Sequence, residues 1–314
     1  MATFAYAETQ YSGGDAMKHF LRMRKLEVLA CVFAWVTLAA AQNPAAEWKP
    51  VEQAMGRPGQ EQPGGVMKFG MPRSDLHVMV NGVAVKPGLA LGSWVAFDNP
   101  GRAATAMGDL VLTLEEVEPV MRKLQEGGIE ITALHNHLLG ESPRVMYMHL
   151  RGHGEAIKVA RAVQAALALT KTPPSQAKPA QGQTFELDQK QIEAALGHAG
   201  KVNGGILQIS VPRAEKITEN GMAVPPAMGV ATSINFQSTG NRTAAATGDF
   251  VLTASEVNPV MRTLREDGIA VTAVHSHMLG EQPRLFFLHF WANDTSARVA
   301  RGLRAALDKT NSAR

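Results

Sequence analysis

Residues 51–170 align with residues 192–310 at an offset close to 140, and this internal repeat constrains the fold more than any other feature of the chain. Gly64-Gly65 returns as Gly204-Gly205, Pro72-Arg73 as Pro212-Arg213, Asn81-Gly82 as Asn220-Gly221 and Gly108-Asp109 as Gly248-Asp249. Glu116-Val117 and Pro119-Val120-Met121-Arg122 return as Glu256-Val257 and Pro259-Val260-Met261-Arg262. Such a chain must fold as two similar units, and two independent drifts have spared whatever both units keep. The expected organisation is a first repeat over 42–170, a Pro-, Gln- and Ala-rich linker over 171–188 and a second repeat over 189–314. With 314 residues, 45% of them hydrophobic, two packed cores are within reach.

Each repeat reads as α+β: antiparallel strands followed by a β-α-β-β-α unit. A short helix opens it, at Pro50 to Met55 and again at Leu187 to Leu196, and Arg57 to Gly65 reads as a loop. Strand-like runs follow at Val66 to Gly70, Leu76 to Val80, Val83 to Val85 and Ser93 to Phe97. Asn81-Gly82 between two of these runs signals a hairpin turn, because both positions of such a turn need a positive φ. Asp109 to Leu112 reads as a strand leading to Thr113, with Glu116 three residues on, the spacing of a capping box. Val117, Val120, Met121 and Leu124 then recur at helical spacing until Gly127-Gly128. Ile129 to Leu138 is expected to be a strand, Leu139 to Pro143 a turn, Arg144 to Leu150 the returning strand and Ala156 to Leu169 a helix.

The chemistry sits on that hairpin. Thr132-Ala133-Leu134-His135-Asn136-His137-Leu138-Leu139-Gly140-Glu141-Ser142-Pro143-Arg144, with His149 beyond, returns as Thr272-Ala273-Val274-His275-Ser276-His277-Met278-Leu279-Gly280-Glu281-Gln282-Pro283-Arg284, with His289 beyond. Strand side chains alternate, so His135 and His137 point to one face about 7 Å apart. If the hairpin register brings His149 to that face, three imidazoles converge in each copy. His135, His137, His149, His275, His277 and His289 are therefore the candidate metal ligands, six of the ten histidines in the chain. Neutral imidazoles suit Zn²⁺ first, and Cu²⁺, Fe²⁺ or Mn²⁺ as well. Glu141 and Glu281 are candidates for a fourth ligand, or for a base that takes a proton from bound water, since catalytic zinc sites keep one position for water. Arg144 and Arg284 are placed either to hold an anionic group of a small ligand or to pair with Glu141 or Asp109. Asp109 and Asp249 either orient a ligand histidine or cap a turn.

Several features bound the setting. Lys18 to Lys25 is basic and Leu26 to Ala41 is apolar, ending in Ala39-Ala40-Ala41. This is the order of a secretory signal peptide over 1–41, with Met17 as a natural start. Export to the periplasm or the extracellular space follows, with no membrane span in the mature chain. Cys31, the only cysteine, falls inside that leader, so the mature chain would offer no thiolate and any metal must be held by His, Asp or Glu. The net charge of +3 and the absence of a basic helix face argue against nucleic acid.

The phrases Gly-Asp-Leu-Val-Leu-Thr, Glu-Val-x-Pro-Val-Met-Arg and Thr-Ala-Leu-His-Asn-His-Leu-Leu-Gly-Glu-Ser-Pro-Arg resemble the LppY/LpqO family of exported bacterial proteins. That resemblance implies export and the duplicated architecture, and lends no mechanism and no catalytic residue. Three readings therefore stand at the level of sequence: an exported metal-binding protein, a metal-dependent hydrolase with Glu141 or Glu281 as base, and a metal-free module that binds a small ligand or an envelope partner.

Overall fold

The computed structural model describes residues 44–174 and 184–313. The expected signal peptide and the middle of the expected linker lie outside the described residues.

In the first repeat the strands are β1 (Gln60–Gln62), β2 (Val66–Pro72), β3 (Val78–Val80), β4 (Val83–Val85), β5 (Gly92–Phe97), β6 (Ala104–Thr113), β7 (Glu130–His135), β8 (Glu141–Ser142) and β9 (Val145–Gly154). Helix α1 (Pro44–Met55) precedes them, α2 (Pro87–Ala90) and α3 (Leu114–Glu126) are interspersed, and α4 (Ala156–Leu167) closes the repeat. Six strands form an antiparallel sheet in the order β1-β2-β5-β6-β9-β7, and β4-β3-β8 form a small separate sheet. The second repeat reproduces this with a six-stranded sheet and a three-stranded sheet of its own. Among its elements are the strands Ala231–Gly240, Thr243–Leu252, Ala270–His275 and Phe286–Thr295. The α+β duplicated architecture read from the sequence is the architecture observed.

Alternation along the central strands divides each sheet into two faces. Leu110, Leu112, Met148 and Leu150 turn to one face and pack with Trp48, Val120, Leu124, Val159 and Val163 of the helices. Val111 and Tyr147 turn to the other face, where they join a cluster that includes Ile206, Ala245 and Trp291 of the second repeat. Ala96 and Met107 likewise pack with Val230, Val251 and Phe287. The outer faces are thus covered by helices, and the inner faces pack repeat against repeat.

Some boundaries differ from the sequence reading. The helix expected from Pro50 begins at Pro44, so Pro50 lies inside it. Residues 60–62, read as loop, add an edge strand to β2. The histidine strand ends at His135 rather than Leu138, because the chain leaves the sheet there to reach the small one. Glu141 and Ser142, read as turn, pair with Val80 and Met79 of β3. The hairpin turns behave as the sequence predicts: Asn81 and Gly82 have φ of 47° and 83°, and Asn220 and Gly221 have 51° and 79°.

A candidate metal centre between the repeats

The Gly-Asp pair kept by both copies sets up the site. A Cβ on Gly108 would lie 2.7 Å from the Trp94 carbonyl oxygen, and one on Gly248 would lie 1.9 Å from that of Ser233, so only glycine permits these strands to approach. The carbonyls at these positions accept hydrogen bonds from Nδ1 of His149, at 3.2 Å, and of His289, at 2.8 Å. Nδ1 of His277 donates to Gly229 O at 3.1 Å. A carbonyl can only accept, so each of these three rings carries its proton on Nδ1 and presents a lone pair on Nε2.

Asp109 stands beside His149 in register across β6 and β9, and Ala133 flanks His149 on β7. The ladder then shifts between Ile131 and Ala133, and likewise between Val271 and Ala273. Both shifts leave an extra threonine in the strand, a β-bulge. The Thr132 hydroxyl donates to His277 O and the Thr272 hydroxyl to His137 O, each at 2.6 Å. Each His-x-His segment is thereby tied to the bulge of the other repeat, about a pseudo-twofold axis.

All six candidate ligand histidines meet at this axis. The rings of His135 and His275 stack with centroids 3.7 Å apart. His137 lies 3.7 Å from His289, and His149 lies 3.8 Å from His277. Ligand atoms of His135, His137 and His289 lie within 4.8 Å of one another, as do those of Asp249, His275 and His277, and those of His135, His149 and His275. The spacing predicts that each His-x-His joins the third histidine of its own hairpin. The structure joins His135 and His137 instead to His289 of the other copy, a partnership fixed by how the two inner faces meet.

Nε2 of His135 lies 3.3 Å from Nε2 of His289. Two ligands of one tetrahedral zinc, each about 2.0–2.1 Å from the ion, are about 3.3 Å apart. Other buried polar atoms around the axis have no hydrogen-bond partner among the described residues: Nδ1 of His135, Nε2 of His137, His149 and His277, both nitrogens of His275, and Oδ1 of Asp109 and Asp249. Nε2 of His137 is 3.3 Å from Asp109 Oδ2, and Nε2 of His277 is 2.9 Å from Asp249 Oδ2, in neither case with hydrogen-bond geometry. An unpartnered buried polar group costs about 1–3 kcal/mol, so a cluster of them calls for a partner of another kind.

Burial keeps the rings neutral. It holds His149 and His277 down to about 3, with the His277 charge adding to the effect at His149, and His135, His137 and His275 also lie well below the usual imidazole range. Burial pushes the Asp249 carboxyl up to about 6. Neutral imidazoles beside carboxylates form a donor set for a divalent transition metal.

Glu141 and Glu281 do not belong to the converging groups. Glu281 accepts a hydrogen bond from Leu285 N at 2.9 Å and pairs with Arg284 at 3.2 Å, which braces the turn. Arg284 also donates to Ser276 Oγ, and Arg144 is exposed. Met148 and Met278 lie in hydrophobic cores, and His153 is exposed at the far end of its strand. Sequence reasoning missed Thr132, Thr272 and Gly229 as parts of the site. The two threonines open the repeated phrase itself, and that was the available signal.

A family model described as Domain of Unknown Function (DUF1259) matches residues 49–169 and again residues 190–309. A search of curated proteins finds no match. Among solved structures, the chain is similar to the trimeric bacterial microcompartment shell protein PduB, at 10% identity over 80% of this chain and 89% of that one, with a TM-score of 0.21. It is also similar to the fused permuted hexameric shell protein MSM0275 from the RMM microcompartment, at 15% identity over 66% and 84% of the two chains, with a TM-score of 0.18. EtuB from Clostridium kluyveri matches at 11% identity over 79% and 90%, with a TM-score of 0.18. Scores this low bear on neither fold nor function.

Proposed function

We propose that this chain, which belongs to the Domain of Unknown Function (DUF1259) family and carries its domain twice, is an exported metal-binding protein whose centre is shared by its two repeats. One observation carries the reading: the two Nε2 atoms of His135 and His289, one from each repeat, lie 3.3 Å apart within a cluster of buried, unpartnered imidazole nitrogens. His135, His137 and His289 would hold the ion, with His149, His275, His277, Asp109 and Asp249 beside them. The metal would supply Lewis acidity at that point. The chain's own groups orient the donors: the Gly108, Gly229 and Gly248 carbonyls fix three rings, and Thr132 and Thr272 lock the two His-x-His segments together. Zn²⁺ fits the nitrogen-rich donor set best. Export rests on the basic and apolar leader pattern. No helix among the described residues is long and apolar enough to cross a membrane.

The test is retention of metal by the full chain purified without a histidine tag, exposed to Zn²⁺, Cu²⁺, Fe²⁺ or Mn²⁺ and then desalted. Stoichiometric retention that falls in His135→Gln/His289→Gln supports the reading. A chain that retains no transition metal overturns it.

A further inference from the structure

We infer that the centre takes two ions rather than one, each held by the His-x-His of one repeat, the third histidine of the other repeat and an aspartate. This rests on the metal-binding reading and goes on to fix its stoichiometry and ligand sets.

Two of the converging groups share no residue: His135, His137 and His289 form one, and Asp249, His275 and His277 the other. The pseudo-twofold axis relates them and supplies what each lacks. Asp109 lies 3.3 Å from His137 in the first group, as Asp249 lies 2.9 Å from His277 in the second. His149 stands against His277 with ring centroids 3.8 Å apart, as His289 stands against His137 at 3.7 Å. Six imidazoles and two carboxylates make two sets of four donors, and four is the usual number for zinc. The rival arrangement is one ion on the axis held by His135, His149 and His275. It would leave Nε2 of His137 and His277 and Oδ1 of both aspartates buried without partners, whereas two ions give each set an ion of its own. The stacked His135 and His275 rings, 3.7 Å apart, keep the two sets adjacent.

The experiment is a titration of the metal-stripped, untagged full chain with Zn²⁺, read as ions per chain by native mass spectrometry and elemental analysis, and repeated with Co²⁺ for electron paramagnetic resonance. The expected result is two ions per wild-type chain and spin coupling in the two-cobalt form. His135→Gln/His137→Gln and His275→Gln/His277→Gln should each fall to one ion, and the coupling should disappear. One ion per wild-type chain, lost in either double variant, overturns the two-ion assignment and leaves the metal-binding reading standing. No bound ion overturns both. The wild-type count stands even where a variant fails to fold, which circular dichroism reports.

Discussion

Two buried polar sites recur in both halves of the molecule, and they differ in whether their hydrogen bonds are complete. Arg73 is fully buried, and every nitrogen of its guanidinium is used: Nε and Nη2 on Asp75, Nη1 and Nη2 on Glu116, and Nη1 also on Val111 O. Arg213 repeats the pattern with Glu215, Glu256 and Val251 O. The histidine cluster is as faithfully repeated, yet many of its polar atoms, though buried, lack partners. Retention through duplication marks both sites equally. Hydrogen-bond accounting separates them: the arginine site is complete, whereas the histidine site is incomplete, as the proposed ion would require.

The widest expected gap between the two sites opens in acid. An imidazole held neutral in the folded chain takes up a proton near 6.5 once unfolded, so below 6.5 the unfolded state binds more protons and stability falls with pH. His149 and His277, held to about 3 by burial, lose stability through the window from 6.5 down to about 3. Each such ring contributes up to about 1.4 kcal/mol per pH unit. Asp249, raised to about 6, acts with the opposite sign between its unfolded value and 6, and offsets one ring. Urea unfolding of metal-stripped protein should therefore show a steep decline from pH 7 to 5. A flat profile would mean that the rings are not buried neutral.

The next expected effect falls on the arginine site. Arg73→Met leaves Glu116 buried beside Asp75 without its partner and should cost about 3–5 kcal/mol in urea unfolding. Metal retention by the folded fraction should be unchanged. A cost below about 1 kcal/mol would erase the distinction between the two sites from one side.

His275→Leu probes it from the other side. Both nitrogens of this ring lack partners, so replacing it with an apolar side chain should stabilise the metal-free protein by about 1–3 kcal/mol while weakening metal binding. A clear loss of stability in the metal-free protein would make His275 a structural residue.

The smallest expected effect concerns a position where the repeats differ. Tyr147 stacks on His137 and donates to Ala90 O, and Phe287 stacks on His277 in its place. Tyr147→Phe should cost about 1 kcal/mol for the lost hydrogen bond and leave metal retention intact. Lost retention would give the phenol a role in the centre.

Local features of the fold were legible because local chemistry sets them. Thr113 and Glu116 announce a helix start, and Glu116 accepts from Thr113 N at 2.9 Å. Asn81-Gly82 announces a turn that needs two positive φ angles. His135 and His137 announce themselves by spacing and repetition. The partners of these rings were not legible, since the meeting of His137 with His289 depends on two sheet faces 152 residues apart in sequence coming together, and no periodicity encodes that. The bulge at Thr132 escaped for a related reason: strict alternation predicts an unbroken strand, and the extra residue shows only in the register. The pairing of Glu141 with Val80 likewise depends on a strand 61 residues earlier.

The central claim, that ring nitrogens from both repeats surround a metal, is tested most directly by X-ray absorption at the zinc edge of untagged protein after reconstitution and desalting. The account predicts a first shell dominated by nitrogen at about 2.0–2.1 Å with imidazole scattering behind it, which collapses when His135→Gln/His137→Gln and His275→Gln/His277→Gln are combined. A shell of oxygen without imidazole scattering, or the same spectrum after both sets of substitutions, would contradict it.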